Sequence, residues 1–470
     1  MISSFSAPFA RRRGAARLAA STLVSGLVAA AGMIAAASPA AADETTQTPG
    51  GATATMGGLK TYGAAVLHDD SGDQEISAGL FEMSVDGGGT LQTYCVDLHN
   101  PTQRDAKYHE TPWSGSSLGA DDDAGRIRWI LQNSYPQVND LASLASKAGI
   151  AGGLTEQDAA AGTQVAIWRY SDGADVDAVD PQAEQLADYL QKAARDTAEP
   201  AASLTLDAPA VSGHPGEPIG PVTVHTDASA VTVTPPLDAG ITGVRIVGKD
   251  GKPVTTATNG SRLFFDVPAD TDPGSAELTV QASTTIPVGR AFTSESRSQT
   301  QILAGSSEST VSATASASWA EQGAVPALSA AKNCAKSGVD ITVANQGDEA
   351  FTFELMGAEH AIPARTTRTV TIPLQEDQPY DFTITGLQGA ETRFTGLLDC
   401  QTRTAETANV TTQTLSDPSP ATVGGTTTAT DTNLAETGGS SATPIIAGTA
   451  IGLVVIGGAA LVLAGRKENA

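Results

Sequence analysis

The chain has 470 residues, with 52 Asp and Glu against 27 Lys and Arg and a formal net charge of −25 at pH 7. A surface of that sign without a local basic patch excludes nucleic acid as a partner, because such binding is driven by cationic contacts to phosphate. Aromatic residues make up only 4% of the chain while Gly, Thr and Ala are common, which argues against one large core and for several small β-rich modules.

Residues 1–42 read as an export signal. Arg11, Arg12, Arg13 and Arg17 form a basic start, an apolar run from Leu18 to Ala37 follows, and "SPAAA" supplies small residues for cleavage after Ala42. An uncleaved membrane anchor is the other reading. The hydrophobic residues that twin-arginine export would place after the arginines are missing, so the route, Sec or Tat, stays open. Residues 43–57 are polar and rich in Gly and Thr, and are expected to form a flexible leader.

The first module spans 58–200. "LKTYGAAVLHD", "QEISAGLFEMSV" and "TLQTYCVDL" read as strands, the last two joined by "DGGG" (Asp86 to Gly89), a hairpin turn whose residues tolerate positive φ. The period then becomes helical. "AGRIRWILQNSY" spaces Ile127, Ile130 and Leu131 for one helix face. "TEQDAAAGTQVAIWRYSDG" opens on a cap, Thr155 with Asp158 three residues on, and stops at Gly173. "DPQAEQLADYLQKAARD" has Pro181 at a helix start and Leu186, Tyr189 and Leu190 as its stripe. The module is therefore mixed α+β.

From 201 the helical signals stop. "SLTLDAP", "PVTVHT", "AVTVTPP", "GVRIVG", "RLFFDVP" and "AELTVQAS" are short alternating strands punctuated by Pro and Gly, the pattern of an immunoglobulin-like β-sandwich over 201–322. "VDITVANQG", "AFTFELMG", "TRTVTIPL" and "YDFTITGL" repeat the style in a second all-β sandwich over 323–402. Cys334 and Cys400 flank that module, and in an exported chain they read as a disulfide. Closing such a loop contributes roughly 4 kcal/mol by chain entropy. Residues 403–433 are Thr-rich without apolar periodicity and read as a disordered stalk.

The end of the chain carries a second address. "LAETG" (Leu434, Ala435, Glu436, Thr437, Gly438) precedes a polar spacer, an apolar run expected to form a transmembrane helix over 445–464, and the basic end "GRKENA". A plain C-terminal anchor is the bland reading. The order of pentapeptide, apolar span and basic tail resembles a Gram-positive cell-wall sorting signal, in the LAxTG form of actinobacteria. The resemblance implies that sortase cuts between Thr437 and Gly438 and joins Thr437 to peptidoglycan, so that the protein is secreted and then held in the wall. Loss of the four arginines of residues 1–42, and of Arg466, Lys467 and Glu468, would leave a net charge of −30.

Cys95 is then left without a cysteine partner. It is a small core residue, a nucleophile with His99 or His109 as its base, or a sulfur that is covalently occupied. The hydrolase reading is weak, since no family signature surrounds the Cys–His pairs. His68, His214, His225 and His360 are scattered and read as surface or turn residues, without metal-ligand spacing, so neither metal nor cofactor is expected. The third reading draws on two motifs, Tyr94-Cys95-Val96-Asp97 and Thr163-Gln164-Val165-Ala166-Ile167-Trp168. Together, in this order and 69 residues apart, they resemble those of the thioester (TQxA) domains of Gram-positive surface proteins, over about a third of the chain. A hydrophobic-Gln step often lies between the two motifs; Leu131-Gln132, with Tyr135 after it, fits. The resemblance implies a thioester between Cys95 and Gln164, with Tyr94, Asp97, Thr163, Ala166 and Trp168 in support. It further implies that a target amine or hydroxyl attacks the Gln164 carbonyl, so that the chain is a covalent adhesin consumed once rather than an enzyme. On the strand, Tyr94, Val96 and Leu98 would share one face and Cys95 point to the other, while Ile167 and Trp168 pack the helix that carries Gln164 onto the sheet. The competing readings are a structural wall protein whose thioester cross-links neighbours or goes unused, and a secreted cysteine hydrolase.

Overall fold

The computed structural model describes residues 50–70 and 72–402. The export signal, residues 43–49, the stalk, LAETG and the apolar run at 445–464 lie outside the described residues. Strands β1 (Thr53–Asp69) and β2 (Gly72–Val85) form a long antiparallel hairpin, and β3 (Thr90–Cys95) returns alongside β2. The β2–β3 turn falls on "DGGG", where Gly87, Gly88 and Gly89 all take positive φ, conformations that a Cβ would strain.

For residues 50–57 the expected flexible leader is corrected here. Thr53, Ala54 and Thr55 already pair with β4 (Lys107–Thr111), and Ala52, Ala54 and Met56 are buried. These three residues alternate inward between polar neighbours, a period-two pattern that the Gly- and Thr-rich composition obscured.

Helix α1 (Ala124–Asn133) buries Ile127, Ile130 and Leu131, the predicted face. Helix α2 (Leu141–Ala148) was not anticipated, although its signals are present: Asp140 accepts the Ser143 N–H at 3.0 Å, and Gly149 closes the helix at φ 76°. Helix α3 (Glu156–Ser171) begins on a reciprocal capping box between Thr155 and Asp158. Every residue from Ala159 to Trp168 is buried, because α3 runs between the β1–β2 hairpin, α1 and helix α4 (Pro181–Ala193). Small residues permit this. A Cβ on Gly162 would lie 2.4 Å from the Ala183 carbonyl oxygen of α4. Between α3 and α4, β5 (Val176–Ala178) pairs with the far half of β1.

The next segment holds β6 (Leu204–Asp207), β7 (Ala210–Gly213), β8 (Pro218–Thr226), β9 (Val231–Thr234), β10 (Arg245–Val247), β11 (Thr256–Ala257), β12 (Arg262–Asp266), β13 (Gly274–Thr284), β14 (Ala291–Ser294), β15 (Gln301–Ser306) and β16 (Ser309–Trp319). Two sheets, β10-β12-β8-β6 and β11-β9-β13-β16-β7, lie against each other through β16 with β6 and β8.

The expectation of a self-contained sandwich over 201–322, and of a first module that ends at 200, is corrected by β14 and β15. They interrupt the β13–β16 hairpin and enter the first sheet, where β15 pairs with β3 and β14 with β4. The order β2-β3-β15-β14-β4-β1, with β1 pairing back onto β2, closes six strands into a ring. The two modules consequently share one continuous core, from Ala52 to Trp319. The physical reason is burial: Phe292, Ile302, Leu303 and Ala304 are fully enclosed only because they complete the first module's sheet.

A buried ion pair marks the junction. Arg290 Nε donates to Glu110 Oε1 at 2.9 Å and its Nη1 to Glu199 at 2.7 Å, while the Ser203 N–H donates to Glu110 Oε1 at 2.9 Å. Both partners of the Arg290–Glu110 pair are almost wholly enclosed.

The last described module holds β17 (Pro326–Asn333), β18 (Gly338–Asn345), β19 (Phe351–Leu355), β20 (Ala358–Ile362), β21 (Thr366–Pro373), β22 (Pro379–Thr385) and β23 (Glu391–Leu397). They form a three-stranded sheet, β17-β18-β21, and two hairpins around a core of their own. Cys334 and Cys400 are joined by a disulfide beside that core. Among the described residues no helix is long and apolar enough to cross a membrane.

Candidate functional site

Cys95 is the last residue of β3, and β2 no longer pairs there, since its register on β3 ends at Phe81 with Thr93. The edge of β3 that faced β2 would leave the backbone of Cys95 unpaired. The side chain of Gln164, midway along α3, fills that place. The Cys95 N–H donates to Gln164 Oε1 at 3.0 Å, and Gln164 Nε2 donates to the Cys95 carbonyl at 2.9 Å. The carboxamide thus acts as one peptide unit of a missing strand. The next residue, Val96, turns its N–H to the other edge and reaches the Thr300 carbonyl at 3.2 Å.

That alternation makes Cys95 and Gln301, which face each other in the β3–β15 register, a pair without mutual backbone hydrogen bonds, the kind whose side chains approach closely. Gln301 Nε2 lies 3.2 Å from Cys95 Sγ, and Thr102 Oγ1 lies 3.7 Å from the same sulfur. Cys95, Gln164 and Gln301 are all 0% exposed. Burial pushes the Cys95 thiol up to about 12; the hydrogen bonds from Gln301 and Thr102 pull the other way, and the charges of Asp97 and Asp172 add to the rise. At neutral pH the sulfur is a thiol.

The motif residues hold this arrangement. Thr163 Oγ1 donates to the Ala159 carbonyl at 2.6 Å and lies 2.6 Å from Ser134 Oγ at the end of α1. Tyr94 OH donates to the Tyr135 carbonyl at 2.9 Å. Asp97 accepts the His99 N–H at 3.2 Å and also the Asn100 side-chain amide, folding the chain back after β3. Asp172, the C-cap of α3, accepts the Leu98 N–H at 3.1 Å. Ala166, Ile167 and Trp168 are buried. Tyr94, Cys95, Val96 and Leu98 are all buried, and β3 ends at Cys95, so Val96 and Leu98 lie beyond the strand on which they were expected.

The Cys–His dyad is not assembled. Both ring nitrogens of His109 are engaged, by Thr53 at 3.1 Å and Glu295 at 3.0 Å. His99 is buried, its Nδ1 has no partner and its pKa is lowered by that burial. Among the described residues the hydrogen-bond partners of Cys95 Sγ are Gln301 and Thr102. In the hydrophobic-Gln step Gln132 is exposed, whereas Leu131 is buried and the carbonyl of Tyr135 after it accepts the Tyr94 hydroxyl. The three carboxylates of Glu376, Asp377 and Asp399 lie within 4.8 Å of one another, with Glu376 already accepting the Cys400 and Gln401 N–H groups. LAETG lies outside the described residues.

The sequence reading missed Gln301, Thr102, Thr93 and Asp172. Asp172 stands at the end of the motif helix, where an acid is no capping signal and the sequence does not mark its role. Gln301 had no signal, being 206 positions from Cys95 in a stretch read as part of another module.

Residues 92–196 match the family model of the thioester domain, a span that contains Cys95 and Gln164 but not Gln301. Among solved structures, the chain is similar to the Bacillus anthracis TIE protein, at 14% identity over 74% of this chain and 64% of that one, with a TM-score of 0.26. It is also similar to the thioester domain of the Enterococcus faecium TIE86 protein, at 17% identity over 59% of this chain and 99% of that one, TM-score 0.28. A third, the Escherichia coli chaperone DraB, is 13% identical over 41% of this chain and 97% of that one, TM-score 0.18. The chain thus spans just under two thirds of the length of the Bacillus anthracis protein. No curated protein matches it.

Proposed function

We propose that the chain is a surface protein that captures a target covalently through a thioester between Cys95 and Gln164. The observation that carries this reading is the two-point hydrogen bonding of the Gln164 carboxamide to the backbone of Cys95, which holds an electrophilic carbon on the residue that bears the thiol. Positioning of that kind replaces a bimolecular encounter by an intramolecular one.

In the forming step Sγ adds to Cδ of Gln164, and the C–N bond breaks. Ammonia leaves with the thiol proton. The Cys95 N–H, already on Oε1, supports the negative charge that develops there. In the capture step a target amine or hydroxyl adds to the same carbon and the C–S bond breaks. Cys95 returns to the thiol and the target is held by an amide or ester. Each molecule reacts once, so the protein is consumed and is not an enzyme. No metal or cofactor enters either step.

Display rests on sequence. Export by residues 1–42, sortase cleavage of Thr437–Gly438 and attachment of Thr437 to peptidoglycan would carry the described modules outward on the Thr-rich stalk. The role is that of a wall-anchored adhesin whose target bears an accessible amine or hydroxyl.

Intact mass tests the reading. The wild-type chain should be lighter by one ammonia than its disulfide-bonded sequence, and methylamine should add its full mass. Cys95→Ala should abolish both effects. A wild-type mass without the ammonia deficit sinks the proposal.

A further inference from the structure

Gln301 opens β15 inside the excursion from the second module, yet it is the nearer of the two hydrogen-bond partners of the Cys95 sulfur. Its orientation is set. Thr93 Oγ1 donates to Gln301 Oε1 at 2.9 Å, so the amide nitrogen must face the other way, toward Sγ at 3.2 Å. The same nitrogen donates to Thr102 Oγ1 at 3.4 Å, which leaves the Thr102 hydroxyl proton free to point at the sulfur. Thr93, Cys95, Thr102 and Gln301 are all buried.

We infer that Gln301 is the sulfur-side donor of the thioester chemistry: its Nε2–H holds Cys95 Sγ as the sulfur attacks the Gln164 carbonyl and again as the sulfur leaves. This rests on the thioester reading above and adds a residue from outside the matched domain. When a target amine adds to Cδ, the electron pair of the breaking C–S bond passes to Sγ, and the proton lost by the amine ends on that sulfur. Before the proton arrives, charge develops on an atom shut off from water. Among the described residues no imidazole hydrogen-bonds it, and unsupported charge there is costly. A donor already aimed at the sulfur lowers that cost without reorganising. By microscopic reversibility the same contact serves the forming step.

The test uses the full chain as wild type, Gln301→Leu and Gln301→Glu, following ammonia loss by intact mass and the rate of methylamine uptake. Gln301→Leu is expected to slow uptake roughly ten- to a hundred-fold, the range for loss of one hydrogen bond to a charged group. Gln301→Glu turns an oxygen toward the sulfur and should slow it at least as much. Should either variant fail to fold, Thr93→Val keeps Gln301 but frees its Oε1, and is expected to slow uptake several-fold. A second readout excludes a space-filling role. With Gln164→Ala, where no thioester can form, the rate of Cys95 alkylation by iodoacetamide at a fixed alkaline pH should fall when Gln301→Leu is added. Uptake at the wild-type rate in both Gln301→Leu and Thr93→Val, with an unchanged alkylation rate, overturns the assignment of Gln301 alone. Absence of ammonia loss in the wild type overturns the thioester reading and the assignment with it.

Discussion

The side chain of Gln164 is bound to the main chain of Cys95 through both ends of its carboxamide, at 3.0 and 2.9 Å. A helix side chain thereby completes the pairing of a strand whose neighbour stops two residues short. Removing the carboxamide leaves the Cys95 N–H and C=O buried without partners, so the contact bears on stability as well as on chemistry.

Gln164→Glu separates the two. One carboxylate oxygen can still accept the Cys95 N–H, but the other meets the Cys95 carbonyl, acceptor against acceptor. We expect no ammonia loss in the intact mass and, made in the Cys95→Ala chain where no thioester forms and the carboxamide stays whole, a loss of about 1–3 kcal/mol in urea unfolding at neutral pH. An unchanged unfolding midpoint would argue against the two-point contact.

Thr163→Val tests how α3 is held in rotation. The substitution removes a hydroxyl shared with Ser134 and the Ala159 carbonyl, both in a dry environment. Stability should fall by about 1–2 kcal/mol, and thioester formation, followed by mass after refolding, should slow, because Gln164 is the next residue.

Arg290→Met probes the junction. Glu110 would keep its N–H and hydroxyl donors from Ser203 but lose its cation in an enclosed place. The expected cost is about 3–5 kcal/mol by urea unfolding, and Glu110→Gln in the same chain should recover part of it.

Stability should fall as pH rises from about 4 to 7. Burial pushes the carboxyls of Asp172 and Asp399 up to about 7, from the ordinary 3.8 of the unfolded chain. Between those values the folded chain holds protons that the unfolded chain has released, so each group removes on the order of 1 kcal/mol of stability per pH unit. Asp172→Asn should flatten the slope measured by urea unfolding at pH 5, 6 and 7. An unchanged slope would argue against Asp172 as its source.

A fragment of residues 50–200 should lack a native core. It contains both thioester residues but not β14 and β15, and so leaves an edge of β3 and of β4 unpaired. We expect loss of near-UV circular dichroism and no ammonia deficit, whereas residues 50–319 should show both signals.

The local parts of the site were legible because they are written locally. The cap at Thr155, the buried stripe of α1, the glycine turn before β3 and the two motifs each depend on residues a few positions apart. The Cys334–Cys400 pairing followed from the scarcity of cysteine. The closure of the ring was not legible. "AFTS" and "QILAGS" are short apolar runs like their neighbours, and nothing in their period tells that they leave the β13–β16 hairpin to pair with β4 and β3. Gln301 was hidden for the same reason: a buried glutamine shows its purpose only against the sulfur it faces. The leader was misread because small residues carry strand alternation weakly.

The excursion of β14 and β15 also settles how load travels. The chain passes between the first two modules three times, near residues 200, 285 and 308, and two of these passages carry the strands that close the ring. If a target is fixed to Gln164 as proposed, a pull from the C-terminal side would strain several ladders together rather than one linker. The junction of the first two modules is thus no single hinge: three crossings and two shared ladders would have to yield together.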